Sequence, residues 1–219
     1  MKVILFGATG MVGQGVLREC LLDSNVQSVL SVGRNNTGLN HKKLREVKQI
    51  NFLDLTEIEN ALSGFDACFF CLGVSSVGMS EENYRNITYD ITLSVAQTLS
   101  KLNPNMTFIY VTGAGTDSTE KGRTMWARVK GKTENDLLRL PFKAAYMFRP
   151  GGIIPLHGVK SKTKIYQLVY DVTRPIYPLL KKLFPNSITT SEQLGRAMIK
   201  VARLGYPKSI MESSDINNI

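Results

Sequence analysis

Val3-Ile4-Leu5-Phe6-Gly7-Ala8-Thr9-Gly10-Met11-Val12-Gly13 stands at the start of the chain, and its reading decides the fold. Four successive apolar residues are too few for a helix and end at a glycine, which reads as a strand buried on both faces, as in the middle of a parallel sheet. Gly-x-x-Gly-x-x-Gly follows at once. Met11 to Leu22 then carries apolar residues at helical spacing (Val12, Val16, Leu17, Leu21). In a strand-turn-helix of this kind one glycine permits the bend, another lets the backbone approach a pyrophosphate, and the last lets the helix pack against the strand. The helix N-terminus adds free amides and the positive end of its dipole. The order of the three parts, more than the glycine pattern, predicts a dinucleotide phosphate site at Gly7, Thr9, Gly10, Met11, Val12 and Gly13.

Outward from this turn, strand and helix keep alternating. Gln27 to Val32 reads as a second strand, a third ends at Phe52-Leu53, and a short helix spans Thr56 to Leu62. Strands at Ala67–Leu72, Thr107–Val111 and Ala144–Phe148 are separated by helices over Glu81–Leu102 and Thr124–Leu140. This rhythm predicts an α/β fold: a doubly wound, mostly parallel Rossmann sheet with helices on both faces. After Arg149 five prolines (Pro150, Pro155, Pro175, Pro178, Pro185) break the pattern, and helix resumes near Ser191, where Thr190 and Gln193 resemble a capping box. Residues 1–219 thus read as a single domain, with about 152–188 as a small C-terminal, substrate-side cap and Ser213 to Ile219 as a frayed tail.

With 43% hydrophobic and 21% charged residues, the 219-residue composition is that of a globular domain. No apolar run approaches the ~18 residues of a membrane span, and Met1 to Phe6 meets glycine too soon for a signal peptide. Three cysteines (Cys20, Cys68, Cys71) make no disulfide framework and predict a reducing, cytoplasmic setting. Cys68 and Cys71 have redox-motif spacing but lie in a strand, where residues three apart face opposite ways. His41 and His157 stand too far apart in sequence to suggest a metal site, and none is expected. The net charge of +9 is uneven. It gathers at Lys121, Arg123, Arg128, Lys130 and Lys132, and again in the aromatic-rich stretch from Lys160 to Lys182. No nucleic-acid motif accompanies it, so no nucleic-acid partner is predicted. The second stretch reads as a lid; contact with a membrane surface is the weaker alternative, because Pro175 and Pro178 would break an interfacial helix.

A NAD-binding unit places a carboxylate at the end of its second strand, on the ribose 2′-hydroxyl. Here Ser31-Val32-Gly33-Arg34 offers a guanidinium instead. Arg34 would pair with a 2′-phosphate, and no acid is there to repel one, so NADP(H) is predicted over NAD(H).

The glycine turn, Asp54-Leu55, Leu72-Gly73, Lys130 and Arg149-Pro150-Gly151 together resemble the short-chain dehydrogenase/reductase superfamily. The likeness covers residues 1 to about 155, and the form Val129-Lys130-Gly131-Lys132-Thr133-Glu134 is similar to the extended, atypical branch. That branch includes Tat-interacting-protein-like oxidoreductases and proteins labelled sugar-nucleotide epimerases. The resemblance implies that Asp54 and Leu55 flank the adenine, Leu72 and Gly73 the ribose and nicotinamide side, and Pro150 and Gly151 the nicotinamide. It also implies a catalytic Tyr-x-x-x-Lys, in which the lysine binds the nicotinamide ribose and lowers the tyrosine pKa. Lys130 is in place, but Trp126 stands where the tyrosine belongs, and an indole is no acid near neutral pH. The family serine is missing too, leaving Thr112 as the nearby hydroxyl. Three functions stay open: a reductase of a small carbonyl substrate with an altered proton donor; a non-catalytic dinucleotide sensor or scaffold with a protein partner; and, less favoured because it needs the missing phenol, an epimerase. Trp126 reads equally as a pocket wall or as core, and another tyrosine could replace the donor: Tyr84, Tyr89, Tyr110 or Tyr146 near the carboxyl edge of the sheet, or Tyr166, Tyr170 or Tyr177 reaching down from the cap.

Overall fold

A computed structural model describes residues 1–159 and 183–219. Among these, seven strands form one parallel sheet in the order β3-β2-β1-β4-β5-β6-β9. They are β1 (Lys2–Phe6), β2 (Ser28–Gly33), β3 (Leu44–Lys48), β4 (Ala67–Phe70), β5 (Thr107–Val111), β6 (Ala144–Arg149) and β9 (Ile210–Glu212). A separate parallel pair, β7 (Gly152–Ile154) and β8 (Ile188–Thr190), frames the two ends of the expected cap. The lid expected over 160–182 lies outside the described residues.

Period-two alternation divides the core. Val3 and Leu5 of β1 and Phe69 of β4 point to one face, where α1 (Met11–Leu22) and α5 (Ser191–Leu204) pack. Ile4, Phe6, Cys68 and Phe70 point to the other, beneath α3 (Ile91–Leu102) and α4 (Met125–Leu137). On that second face Phe6, Phe70, Phe108 and Phe142 stack in a row at 5.4, 6.0 and 4.9 Å between ring centroids. A short helix α2 (Glu81–Arg85) leads through a wider turn, Asn86–Asp90, into α3, so the long helix read from the sequence is continuous but not uniform.

Two expectations are corrected. The third strand ends at Lys48, not at Phe52-Leu53. It is an edge strand of mixed Leu-Arg-Glu-Val-Lys, and the apolar pair beyond it divides, Phe52 going into the core and Leu53 to solvent. The C-terminal tail is not frayed. Ile210–Glu212 pairs with β6, and Ser213–Asn217 forms α6, whose Ile216 is fully buried. Thr190 caps α5 by accepting from Gln193 N at 3.0 Å, but the Gln193 side chain donates to Ile216 O instead of closing the box. Among the described residues no helix is long and apolar enough to cross a membrane.

Candidate functional site

The strand order reverses between β1 and β4, and there the carboxyl ends of neighbouring strands diverge into a crevice. The glycine turn lies at this point. Gly7 has φ +82°, and a Cβ on it would lie 2.7 Å from the Cys71 backbone; one on Gly13 would lie 2.0 Å from Gly7 O. Both positions therefore exclude a side chain for reasons internal to the fold. Gly10 differs: a Cβ there meets only Gly7 O, at 3.3 Å. Among the described residues no side chain caps α1, and its first turn carries no acid, so the positive end of its dipole faces the crevice. A diphosphate fits this cradle.

A hollow of about 410 Å³ begins at the turn, lined by Gly7, Thr9 and Gly10 on one side and by Leu72 and Gly73 on the other. Ser31, Gly33 and Arg34 line its outer end. Arg34 is exposed, and among the described residues no carboxylate pairs with it. Val74 and Ser75 also line a second hollow of about 680 Å³, so the two hollows adjoin there, and together they are called the trough. Met11, Thr112, Trp126, Lys130, Pro150 and Gly151 come together in this second part. Val12 turns aside to pack on the core.

Asp54 and Leu55 do not reach the trough. Leu55 is buried in the core, and the Asp54 carboxylate accepts from Thr56 N and Oγ1 at 3.0 and 2.7 Å, which lowers its pKa. Phe52, read as a strand residue, lines the first hollow instead. Trp126 is half-buried, its ring 3.5 Å from where a Cβ on Gly115 would stand, and it forms a wall of the second hollow.

Beneath this wall lies a polar network that the sequence reading missed. Lys130 Nζ donates to Thr112 O at 2.8 Å. The Thr112 hydroxyl donates to Glu134 Oε1 at 2.6 Å, and Arg149 Nε reaches both Glu134 oxygens at 3.1 and 3.0 Å. Glu134 is fully buried, so this carboxylate depends on its partners. Thr112, expected as a stand-in for the catalytic serine, is thus engaged with the core. Burial lowers the Lys130 pKa to about 8, while the Glu134 charge opposes the shift. The spacing of Lys130 and Glu134 along one helix was the available signal. Of the substitute tyrosines, Tyr84 lines the trough, Tyr89 donates to Asp136 at 2.7 Å, Tyr110 is buried, and Tyr146 accepts from Tyr206 N at 3.0 Å, while Tyr166, Tyr170 and Tyr177 lie outside the described residues. Burial raises the pKa of all three cysteine thiols, and Cys68 and Cys71 pack into opposite core faces.

The pattern of NAD(P)H-binding proteins matches residues 7–138. The chain belongs to this NAD(P)H-binding family. It is 26% identical over 218 residues to Protein FMP52-2, mitochondrial, of Scheffersomyces stipitis, covering 95% of this chain and 90% of that one. With Protein HTATIP2 of Rattus norvegicus it shares 27% over 155 residues, 70% of this chain and 63% of that protein. The Bordetella bronchiseptica enzyme WbmF, solved with NAD+, superposes with a TM-score of 0.69 at 13% identity, over 99% of this chain and 76% of that one. That likeness concerns the fold.

The cytoplasmic expectation is overturned by the names of the yeast relatives, FMP52-2 and two further FMP52 proteins, all called mitochondrial. The physical reason is that unpaired thiols report a reducing compartment, and the cytoplasm is not the sole compartment of that kind.

Proposed function

We propose that this protein binds NADP(H) in preference to NAD(H) and reduces a small carbonyl-bearing substrate, in a mitochondrial setting like that named for the yeast relatives. The observation that carries the reading is the pair of hollows that meet at Val74 and Ser75, with Arg34 and the glycine turn lining one and Met11, Trp126 and Lys130 the other. Gly7, Thr9, Gly10 and Met11 would hold the diphosphate, and Arg34 the 2′-phosphate. Leu72, Gly73, Pro150 and Gly151 would flank the nicotinamide, which when bound supplies a hydride. Trp126 and Met11 wall the reacting end against water, and Lys130 presents a polar hydrogen there.

A second reading, a dinucleotide sensor that meets a protein partner, is favoured by the missing phenol at position 126 and the engaged Thr112 hydroxyl. Mixing the protein with NADPH and a panel of aldehydes, ketones and quinones separates the two. Loss of the reduced-nicotinamide absorbance is expected; tight binding with no oxidation would overturn the reductase in favour of the sensor.

A further inference from the structure

Among the described residues, the second hollow holds few groups able to give up a proton. Thr112 has committed its hydroxyl to Glu134, and the serines at 75 and 76 are ordinary alcohols. Tyr84 is 2% exposed, with its phenol against Thr88, and the Trp126 indole donates hydrogen bonds without ionising. Among the described lining residues Lys130 alone carries a charge, and its Nζ stands 3.8 Å from where a Cβ on Gly113 would be. The rest of the wall is apolar or aromatic, with Met11, Val74, Trp126, Pro150 and Ile153. Such a hollow suits a flat, apolar molecule with an oxygen to be hydrogen-bonded.

We propose that Lys130 is itself the proton donor, giving an Nζ hydrogen to the carbonyl oxygen of a flat, apolar ketone or quinone as the carbonyl carbon takes hydride. This rests on the reductase reading. The C–H bond of the dihydronicotinamide breaks and its electron pair forms the new C–H bond on the substrate. The carbonyl π pair moves to oxygen, an N–H bond of Lys130 breaks and an O–H bond forms. The products are NADP+, the reduced substrate and a neutral amine, which regains its proton from water.

The surroundings suit a lysine that changes charge. Glu134, one turn along α4, favours the ammonium, but Arg149 from β6 already neutralises it. The Thr112 carbonyl at the end of β5 accepts one Nζ hydrogen, and Tyr84 on α2 is the neighbouring titratable group across the hollow. With burial dominant, the ammonium loses its proton near pH 8, the range in which an acid works best.

Three measurements on the intact protein test this, with 9,10-phenanthrenequinone as substrate probe. NMR titration of lysine Nζ should find one group, lost in Lys130→Arg, with a midpoint near 8; all lysines titrating near 10 would overturn the proposal. Single-turnover NADPH oxidation should fall as pH rises through 8. Lys130→Arg keeps the charge but cannot deprotonate. It should bind NADPH within about threefold of the parent and oxidise it at least ~100-fold more slowly. Tyr84→Phe should change the rate less than about threefold. A flat pH profile, an active Lys130→Arg, or an inactive Tyr84→Phe beside an active Lys130→Arg overturns this proposal alone. A parent that binds NADPH and never oxidises it at any pH overturns the reductase reading with it.

Discussion

Thr112 Oγ1 donates to Glu134 Oε1 at 2.6 Å, which joins the end of β5 to the C-terminal half of α4 through a carboxylate with no exposure to water. Arg149 supplies the balancing charge. A buried ion deprived of its partner costs about 3–5 kcal/mol, whereas replacing both members by apolar groups can be nearly neutral. Arg149→Met should therefore lose about that much in a denaturant titration, and Glu134→Met with Arg149→Met considerably less. Equal losses would mean that the pair is not coupled. Thr112→Val should cost ~1–2 kcal/mol and leave NADPH oxidation near the parent rate.

The glycine turn separates folding from binding. Gly13→Ala forces a Cβ to within 2.0 Å of Gly7 O and should destabilise the fold. A Cβ on Gly10 meets only Gly7 O at 3.3 Å, so Gly10→Val should fold, as judged by circular dichroism, while dinucleotide binding disappears. Retained binding in folded Gly10→Val would move the phosphate site elsewhere.

Trp126 lies one helical turn before Lys130, on the same face. If Lys130 is the proton donor, a phenol introduced at 126 should substitute for it. In the Lys130→Arg background, Trp126→Tyr should restore NADPH oxidation by tenfold or more, ~1.4 kcal/mol of barrier, since a guanidinium beside a phenol favours its ionised form. A folded, NADPH-binding double variant with no recovery would contradict this placement of the reacting end.

Lys130 also leaves a stability signature. Its folded pKa, about 8, lies below the ordinary 10.5, so between these values the unfolded chain binds the extra proton and stability contributed by this group rises with pH. Below pH 8 the full burial penalty is present. Lys130→Met should therefore raise Tm at pH 7, by about 2–4 °C for each kcal/mol relieved, and this gain should shrink towards pH 10.5. A variant less stable than the parent at pH 7 would show that the ammonium is not strained by burial.

The fold was legible where apolar runs and glycines carry it. Met11–Leu22 and Thr107–Val111 have the bounds their spacing predicts, because each is a fully patterned element next to a clear breaker. Where pairing is decided by distant partners the sequence is mute. Ile210–Glu212 is three residues long and becomes a strand only because β6 offers an open edge. At the site, the turn and the Lys130 wall were readable from local motifs. The Glu134–Arg149 pair was not, since the two side chains meet only when α4 lies across the end of β6. Phe52 was read as strand and instead lines the first hollow, because its ring packs on Phe6 of β1, a partner distant in sequence.

The account depends most on what occupies the end of the trough at Arg34. Calorimetric titration of the parent and of Arg34→Asp with NADPH and NADH addresses it directly. The parent should prefer NADPH, and Arg34→Asp should weaken NADPH by about 1.5–3 kcal/mol while leaving NADH unchanged or improved. A parent indifferent to the 2′-phosphate, or equal losses for both dinucleotides in the variant, would contradict it.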